Sequence, residues 1–577
     1  MRLLLIFAAC AAFAQPVLKT EFRDGLERAL VRHAGTNEPV TEANPAQPGE
    51  ELIVSAANLP EGAAITVLIG EHTVEAQRLN DEELRFTVPA ELRTSLTDIS
   101  LAADETRSNT ASIDILADDP VQLSAADVAG LIQSAAAAIA DPRMAIAVVD
   151  RAGRPLAVYR KPEASPEALE AALSLARTGA FFSNNQAPLS SRTVRTISRE
   201  NFPDQFPGLR PLNTPAAALF GIENTNRGCF LSDHYNPGRA VPPARDLSGT
   251  GTSRGITTIP GGTPLFRATS GGQEVIGGLG VAGIPEDHAE FAVVAATFGT
   301  PFFVQVLPPP FAVYIDGIRL PFLNQTTRPA GTAADSAFDA AGYVVTPRPG
   351  AAAPDGWLVG PNPGSQLTRD EVQRIVENAV SRAERTRAQI RLPLGSRTRM
   401  VISVADLDGT ILALFRMPDS TIFSIDVAAT KARNVVYFSG RDVNPEDLPG
   451  VPQGTAVTNR TLGFGAQSFF PSGINNSPPG PFRDLYLRDL ANPCTQGRQP
   501  AHRNQSGIVF FPGSAPLYKA GQLAGGLGVS GDGVEQDDYV TAAGAEGFEP
   551  AASARADQIF LRNVRLPYWK FPRNPEQ

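Results

Sequence analysis

Five cations stand out by their recurrence in two similar stretches of the chain: Arg160 and Arg416, Arg177 and Arg433, and Lys431, whose counterpart is Leu175. Guanidinium and ammonium groups in fixed positions are donors for carboxylates or phosphates, and they serve equally well in internal ion pairs or at helix C-termini. Two turns recur with them, Pro260-Gly261-Gly262 and Pro512-Gly513, where a residue without a side chain lets a flat ligand or a neighbouring backbone come close. Asp537 follows the second turn, and Ala289 takes its place in the first stretch, so the second stretch holds the fuller set of chemical groups. Five histidines are present: His33, His72, His234, His288 and His502. His234 and His502 each precede one of the Pro-Gly turns and are candidate metal ligands, with an ordinary exposed loop histidine as the alternative. His288 lies in Glu286-Asp287-His288-Ala289-Glu290, an acidic opening that suits the first turn of a helix. Cys229 and Cys494 form an even pair that can bridge or remain thiols, and no CxxC or neighbouring Cys/His set marks a metal site.

These residues sit on a unit written twice. Ala147-Val-Val-Asp150-Arg-Ala-Gly153-Arg-Pro-Leu-Ala-Val-Tyr-Arg160 matches Ser403-Val-Ala-Asp406-Leu-Asp-Gly409-Thr-Ile-Leu-Ala-Leu-Phe-Arg416, at an offset of 406 − 150 = 256. The same offset carries Ala176-Arg177 to Phe182-Ser183 onto Ala432-Arg433 to Phe438-Ser439. Gly277-Gly-Leu-Gly-Val-Ala-Gly283 then matches Gly525-Gly-Leu-Gly-Val-Ser-Gly531. Each copy opens with a hydroxyl N-cap, Ser124 or Thr368, before a helical pattern that is clearest at Val372, Ile375, Val376, Ala379 and Val380. Asp150 to Gly153 and Asp406 to Gly409 join apolar β-type runs as hairpin turns. An alanine-rich helix, a polar insertion, the Pro-Gly turn, a Gly-rich strand and a last helix follow. The order α-β-β-α-β-β-α predicts an α+β domain around an antiparallel sheet.

Val-x-Asp-x-x-Gly-x-x-Leu in a hairpin, Lys431-Ala432-Arg433, Pro-Gly-Gly-x-Pro-Leu, and Gly-Gly-Leu-Gly-Val-Ser-Gly followed by Glu535-Gln536-Asp537 together resemble the GlcG/HbpS family. That family includes haem-degrading-type domains and the C-terminal domain of PduO-type corrinoid proteins. The resemblance implies two tandem copies, 121–299 and 366–548, paired as a pseudo-dimer within one chain. It implies haem or a related tetrapyrrole as cofactor, a small flat anionic ligand whose propionates would meet Arg160, Arg177, Arg416, Lys431 and Arg433. In the corrinoid-associated branch a histidine near the opening helix holds the iron, whereas neither Leu123–Ala140 nor Leu367–Gln389 contains one. The reading that follows is a secreted haem-binding protein. The alternatives are an enzyme that degrades haem or transforms a small organic acid, and a structural or interaction module without a ligand.

The rest of the chain bounds these readings. With Lys plus Arg at 50 and Asp plus Glu at 60, the net charge of −10 gives no footprint for nucleic acid. Fifty-one Gly and 50 Pro predict a loop-rich protein. Arg2, the apolar Leu3–Ala9 and Ala12-Phe13-Ala14 before Gln15 predict a signal peptide over 1–14, with lipidation at Cys10 as the competing reading and a secreted or periplasmic location in either case. No later run is long enough for a membrane span. Residues 42–117, with alternating runs such as Ala64-Ile-Thr-Val-Leu-Ile69, predict a small all-β, immunoglobulin-like sandwich, a spacer or a module for a cell-surface partner. A Pro/Gly-rich connector (300–365) and an aromatic tail (549–577) complete the layout. Gly278-Leu-Gly280-Val-Ala-Gly283 and Gly526-Leu-Gly528-Val-Ser-Gly531 satisfy GxGxxG, but each falls within a strand and not at the first turn of a βαβ unit, so no dinucleotide site is expected.

Overall fold

The computed structural model describes residues 15–200, 219–232, 255–304, 312–335, 343–345 and 355–577, except for 24–25, 42–43, 71, 91, 93–95, 104–105, 116–122, 270–271, 316–317, 472–473 and 475–476. The predicted leader with Cys10, and His234, lie outside the described residues. Two compact units result, Met1–Pro120 and Val121–Gln577.

In the first unit, alternation puts Ile65, Val67 and Ile69 on one buried face of their strand. Two sheets, of five and seven strands, enclose a core that includes Leu52, Val54, Phe86, Ile99 and Leu101. The unit begins earlier than residue 42. Strands Val17–Leu18 and Val31–His33 both pair with Glu51–Ala57, and the buried Arg28–Asp114 pair (2.7 Å) ties this leading segment to the strand Ala111–Asp114. These strands are too short for period-two alternation to be visible in the sequence.

In the second unit the first copy runs α1 (Ala125–Ala138), β1 (Ala145–Asp150), β2 (Pro155–Arg160), α2 (Pro166–Phe182), β3 (Gly262–Thr269), β4 (Gly272–Ala282) and α3 (Glu286–Thr297). After β5 (Tyr343–Val345) and β6 (Gly356–Val359), the second runs α4 (Arg369–Ala383), β7 (Val401–Ala405), β8 (Ile411–Arg416), α5 (Phe423–Ser439), β9 (Ser514–Lys519), β10 (Gln522–Ser530) and α6 (Val534–Gly544). The fold is the expected α+β, with sheet orders β3-β4-β1-β2-β5 and β9-β10-β7-β8-β6. Ser124 and Thr368 cap their helices in reciprocal capping boxes with Asp127 and Glu371. Gly153 and Gly409 close the two hairpins at φ of +80° and +82°, where a Cβ would be strained.

Alternation along the central strands explains the layers. Ala145, Ala147 and Val149 face a core shared with α2, α5 and the second copy's Val401 and Ala405, while Ile146 and Val148 face α1 and α3 on the other side. Ile402 and Val404 likewise face α4 and α6. The two copies therefore pair through their middle helices, and Phe182 stacks on Phe423 at 4.5 Å. The strand glycines make this stacking close. A Cβ on Gly278 would lie 2.0 Å from Ala176 O, and one on Gly526 would lie 2.2 Å from Ala432 O. The GxGxxG text thus serves helix-on-sheet contact.

The connector supplies β5 to the first sheet and β6 to the second, through pairings with β2 and β8. It also holds a hairpin, Ala312–Ile315 with Ile318–Pro321, which is matched in the tail by Phe560–Leu561 with Val564–Arg565. Leu320-Pro321-Phe322 and Leu566-Pro567-Tyr568 follow at a common offset of 567 − 321 = 246, so the duplication extends past 299 and past 548.

Candidate functional site

The Pro-Gly turn of the second copy is a centre where three of the expected residues meet. Gly513 has φ +112°, and a Cβ there would lie 2.4 Å from Val529 O, 2.7 Å from Lys431 Nζ and 2.8 Å from Asp537 Cβ. Lys431, on α5, donates to Val529 O at 2.7 Å and to Asp537 Oδ2 at 3.0 Å, beneath the Phe511 ring. Asp538 accepts from Gly513 N at 2.9 Å, from Arg460 Nε at 2.5 Å and from Lys570 N at 3.0 Å. Burial raises Asp537 and lowers Lys431, each toward its neutral form. Burial also raises Asp532 and Asp538, and Asp532 Oδ2 has no partner. Lys431 is 0% exposed and Asp537 2%, so these groups close on one another and hold the turn to the last helix.

The first copy builds the same turn from other residues. Around Gly261 (φ +125°) stand Leu175 Cδ1 and Ala289 Cβ, where the second copy has Lys431 and Asp537. The neighbouring ion pair is kept: Arg192 Nε meets Glu290 Oε1 at 2.6 Å, and Glu290 Oε2 accepts from Asn324 N and Gln325 N. Behind it, Ser190 and Thr193 bond Phe322 O and Pro321 O, as Thr458 and Thr461 bond Tyr568 O and Pro567 O. The tail thus docks on its own chain, where Trp569 Nε1 also reaches Ser514 O. Ser190-Ser-Arg-Thr193 and Thr458-Asn-Arg-Thr461 were the sequence signal for this shared element.

Three of the other cations, Arg177, Arg416 and Arg433, bond carbonyls of the chain itself. Arg177 and Arg433 hold the carbonyls of the hairpin glycines, Gly153 O at 3.4 Å and Gly409 O at 2.8 Å, and Arg433 also donates to Phe230 O and Leu231 O. Arg416 is buried and donates to Ser420 O, whereas Arg160 is exposed at its strand end. Pro260, Gly262 and Pro512 are buried beside their turns. His502 is exposed, with Nδ1 accepting from Asn504 N at 3.3 Å. Partial burial, and then the charge of Arg433, lowers its pKa and favours the neutral imidazole. Next to it the Arg503 guanidinium lies 4.5 Å over the Phe230 ring. No cluster of three or more His, Cys, Asp or Glu suited to a metal occurs among the described residues, and none of their helices is long and apolar enough to cross a membrane.

Two seams join the copies, and their polar residues carried little sequence signal. In one, Arg391 bonds Gln186 and Asp419, and Arg151 bonds Ser183 O. In the other, Asp426 accepts from Asn226 N, Asp489 accepts from Asn224 Nδ2 and Ile508 N, and Cys229 is bonded to Cys494. The text offered one sign of the first seam, Arg151 standing opposite Leu407 in the aligned hairpins.

Comparison with known proteins places this frame. Corrinoid adenosyltransferase PduO of Citrobacter freundii is 27% identical over 175 residues, which are 30% of this chain and 37% of that protein, so the chain spans little more than a third of its length. Among solved structures, the PduOC:haem complex is 22% identical over 33% of this chain and 98% of that one, with a TM-score of 0.21. A double mutant of HbpS from Streptomyces reticuli is 19% identical over 34% and 97%, with a TM-score of 0.20. The family model described as haem-degrading protein HbpS-like matches residues 122–297 and 367–546, one match for each copy, and the chain therefore belongs to the HbpS-like family.

Proposed function

We propose that the protein is an extracytoplasmic tetrapyrrole-binding member of its family, with haem as the first ligand to test. The observation that carries this reading is the family match over both copies, supported by a solved relative in complex with haem. Haem needs a lone pair for its iron, cations for its propionates and an apolar face. The buried cations of the two copies do not fit that need, because Arg177, Lys431 and Arg433 face carbonyls and a carboxylate of the chain itself. The His502 loop suits it better: the neutral form of the imidazole is favoured there, and the neighbouring Arg503 stands over the Phe230 ring. There His502 would offer its lone pair, Arg503 its positive charge and Phe230 an aromatic surface. Bound haem would supply a redox-active iron. The Cys229–Cys494 bond supports a location in an oxidising compartment, in line with the expected leader.

Haemin titration of the full chain, followed at the Soret band, tests the reading, with His502→Ala and His234→Ala as variants. A saturable shift that weakens at least tenfold, about 1.4 kcal/mol, in His502→Ala is expected. Absence of saturation at tens of micromolar, or an unchanged affinity in both variants, overturns it. Loss of the bound spectrum on adding a reductant, with breakdown of the ligand, would move the protein from binder to haem-degrading enzyme.

A further inference from the structure

Lys431, within α5, and Asp537, in the first turn of α6, hold an amine and a carboxyl group in contact away from solvent. Nζ lies 3.0 Å from Asp537 Oδ2 and 2.7 Å from Val529 O, and the Phe511 ring centre is 5.1 Å away. The other carboxyl oxygen, Oδ1, accepts from Asp532 N at 3.4 Å. The Gly513 backbone stands against both residues, since a Cβ there would meet Nζ at 2.7 Å and Asp537 Cβ at 2.8 Å. The amine is thus held by β10 and the carboxyl by the chain that leads into α6. Burial opposes the charged forms, pushing Asp537 up and Lys431 down. A neutral amine has a free lone pair, and a neutral carboxyl group has a hydroxyl that can leave as water, whereas the salt of the two is unreactive.

We propose that Lys431 and Asp537 condense to an amide between Nζ and Cγ, a cross-link within the second copy that forms after folding. The Nζ lone pair attacks Cγ, the Nζ–Cγ bond forms and the Cγ–Oδ2 bond breaks. Oδ2 leaves as water, carrying its own proton and one from the amine, so no oxidant, reductant or cofactor enters. Groups fixed in contact react as if at very high concentration, which replaces the activation that amide formation needs in free solution. The product keeps the existing hydrogen bonds: Oδ1 still accepts from Asp532 N, and the remaining N–H still donates to Val529 O. It also removes two charges from the interior. Both N–H groups of the neutral amine are engaged, with Val529 O and Asp537, so the lone pair must turn toward Cγ before it attacks. Joining is therefore slower than folding, and the freshly folded chain holds the pair unjoined. The first copy cannot repeat the step, because Leu175 and Ala289 stand at these positions. The reaction is independent of the His502 loop and stands whether or not haem binds.

Mass spectrometry of the full chain, kept folded for days at neutral pH, tests this assignment. The stored chain should be lighter than its sequence by the mass of one water. Protease digestion should then release a branched peptide that joins the segments carrying Lys431 and Asp537. Lys431→Leu should show no such peptide, and Asp537→Asn should join with loss of ammonia in place of water. The stored parent should also unfold at a higher urea concentration than the fresh one, because the link ties residues 106 apart in the unfolded chain. A stored parent chain of unchanged mass, or one that has lost water but yields no branched peptide between these two residues, overturns the proposal. Both of those results are read on the parent protein and hold even if the variants do not fold.

Discussion

The two Pro-Gly turns present the same backbone with opposite chemistry. Around Gly513 the contacts are Lys431 and Asp537, and around Gly261 they are Leu175 and Ala289. Both partners differ together, while the adjacent pairs Arg460–Asp538 and Arg192–Glu290 are present in both copies. A buried ion pair and an apolar pair of similar placement can support one backbone about equally well, whereas half of either is costly. The Lys–Asp pair is therefore a way of building this turn, and its presence alone does not identify an active copy.

The comparison can first be broken at what the copies share. Gly278→Ala and Gly526→Ala each drive a Cβ to about 2 Å from a helix carbonyl, and each should cost about 4 kcal/mol or more in urea unfolding. Tolerance of one and not the other would mean that the two helix-on-sheet contacts are not equivalent. Next, Lys431→Leu alone leaves Asp537 buried without its cation and should cost about 3–5 kcal/mol. Lys431→Leu with Asp537→Ala imports the first copy's solution and should return to within about 2 kcal/mol of the parent, a coupling that a double-mutant cycle reads directly.

The seams offer the smallest and most specific effect. Burial raises Asp489 to about 7 and Asp426 to about 6, from ordinary values of 3.8. Between pH 4 and 7 the unfolded chain has lost these protons while the folded chain keeps them, so this contribution to stability falls as pH rises through that window and then levels off. Asp489→Asn should flatten the slope by at most about 1.4 kcal/mol per pH unit. An unchanged pH profile in that variant would show that Asp489 ionises normally.

Much of the frame was legible because it rests on local rules: a hydroxyl before a helix, Asp and Gly at a hairpin, glycines where a helix meets a strand. Repetition at fixed offsets did the rest, and the disulfide partners were an even pair. The site was far less legible, because spacing places Arg177 and Arg433 on a helix face but does not say that their guanidiniums meet the hairpin carbonyls. Leu320-Pro-Phe and Leu566-Pro-Tyr were within reach of the same self-comparison and were hidden by the change in offset from 256 to 246. Asp426 and Asp489 gave no signal, since their burial depends on contacts between copies.

The short strands β5 and β6 have a consequence for solubility. Open sheet edges recruit strands from other molecules, and short protective strands at the margins are a common defence. Here one stretch of chain guards the margins of two sheets, so shortening the protein to either matched segment alone strips that guard from its sheet. Isolated copies would present β2 or β8 as a template for ribbon growth, and they should aggregate where the full chain does not.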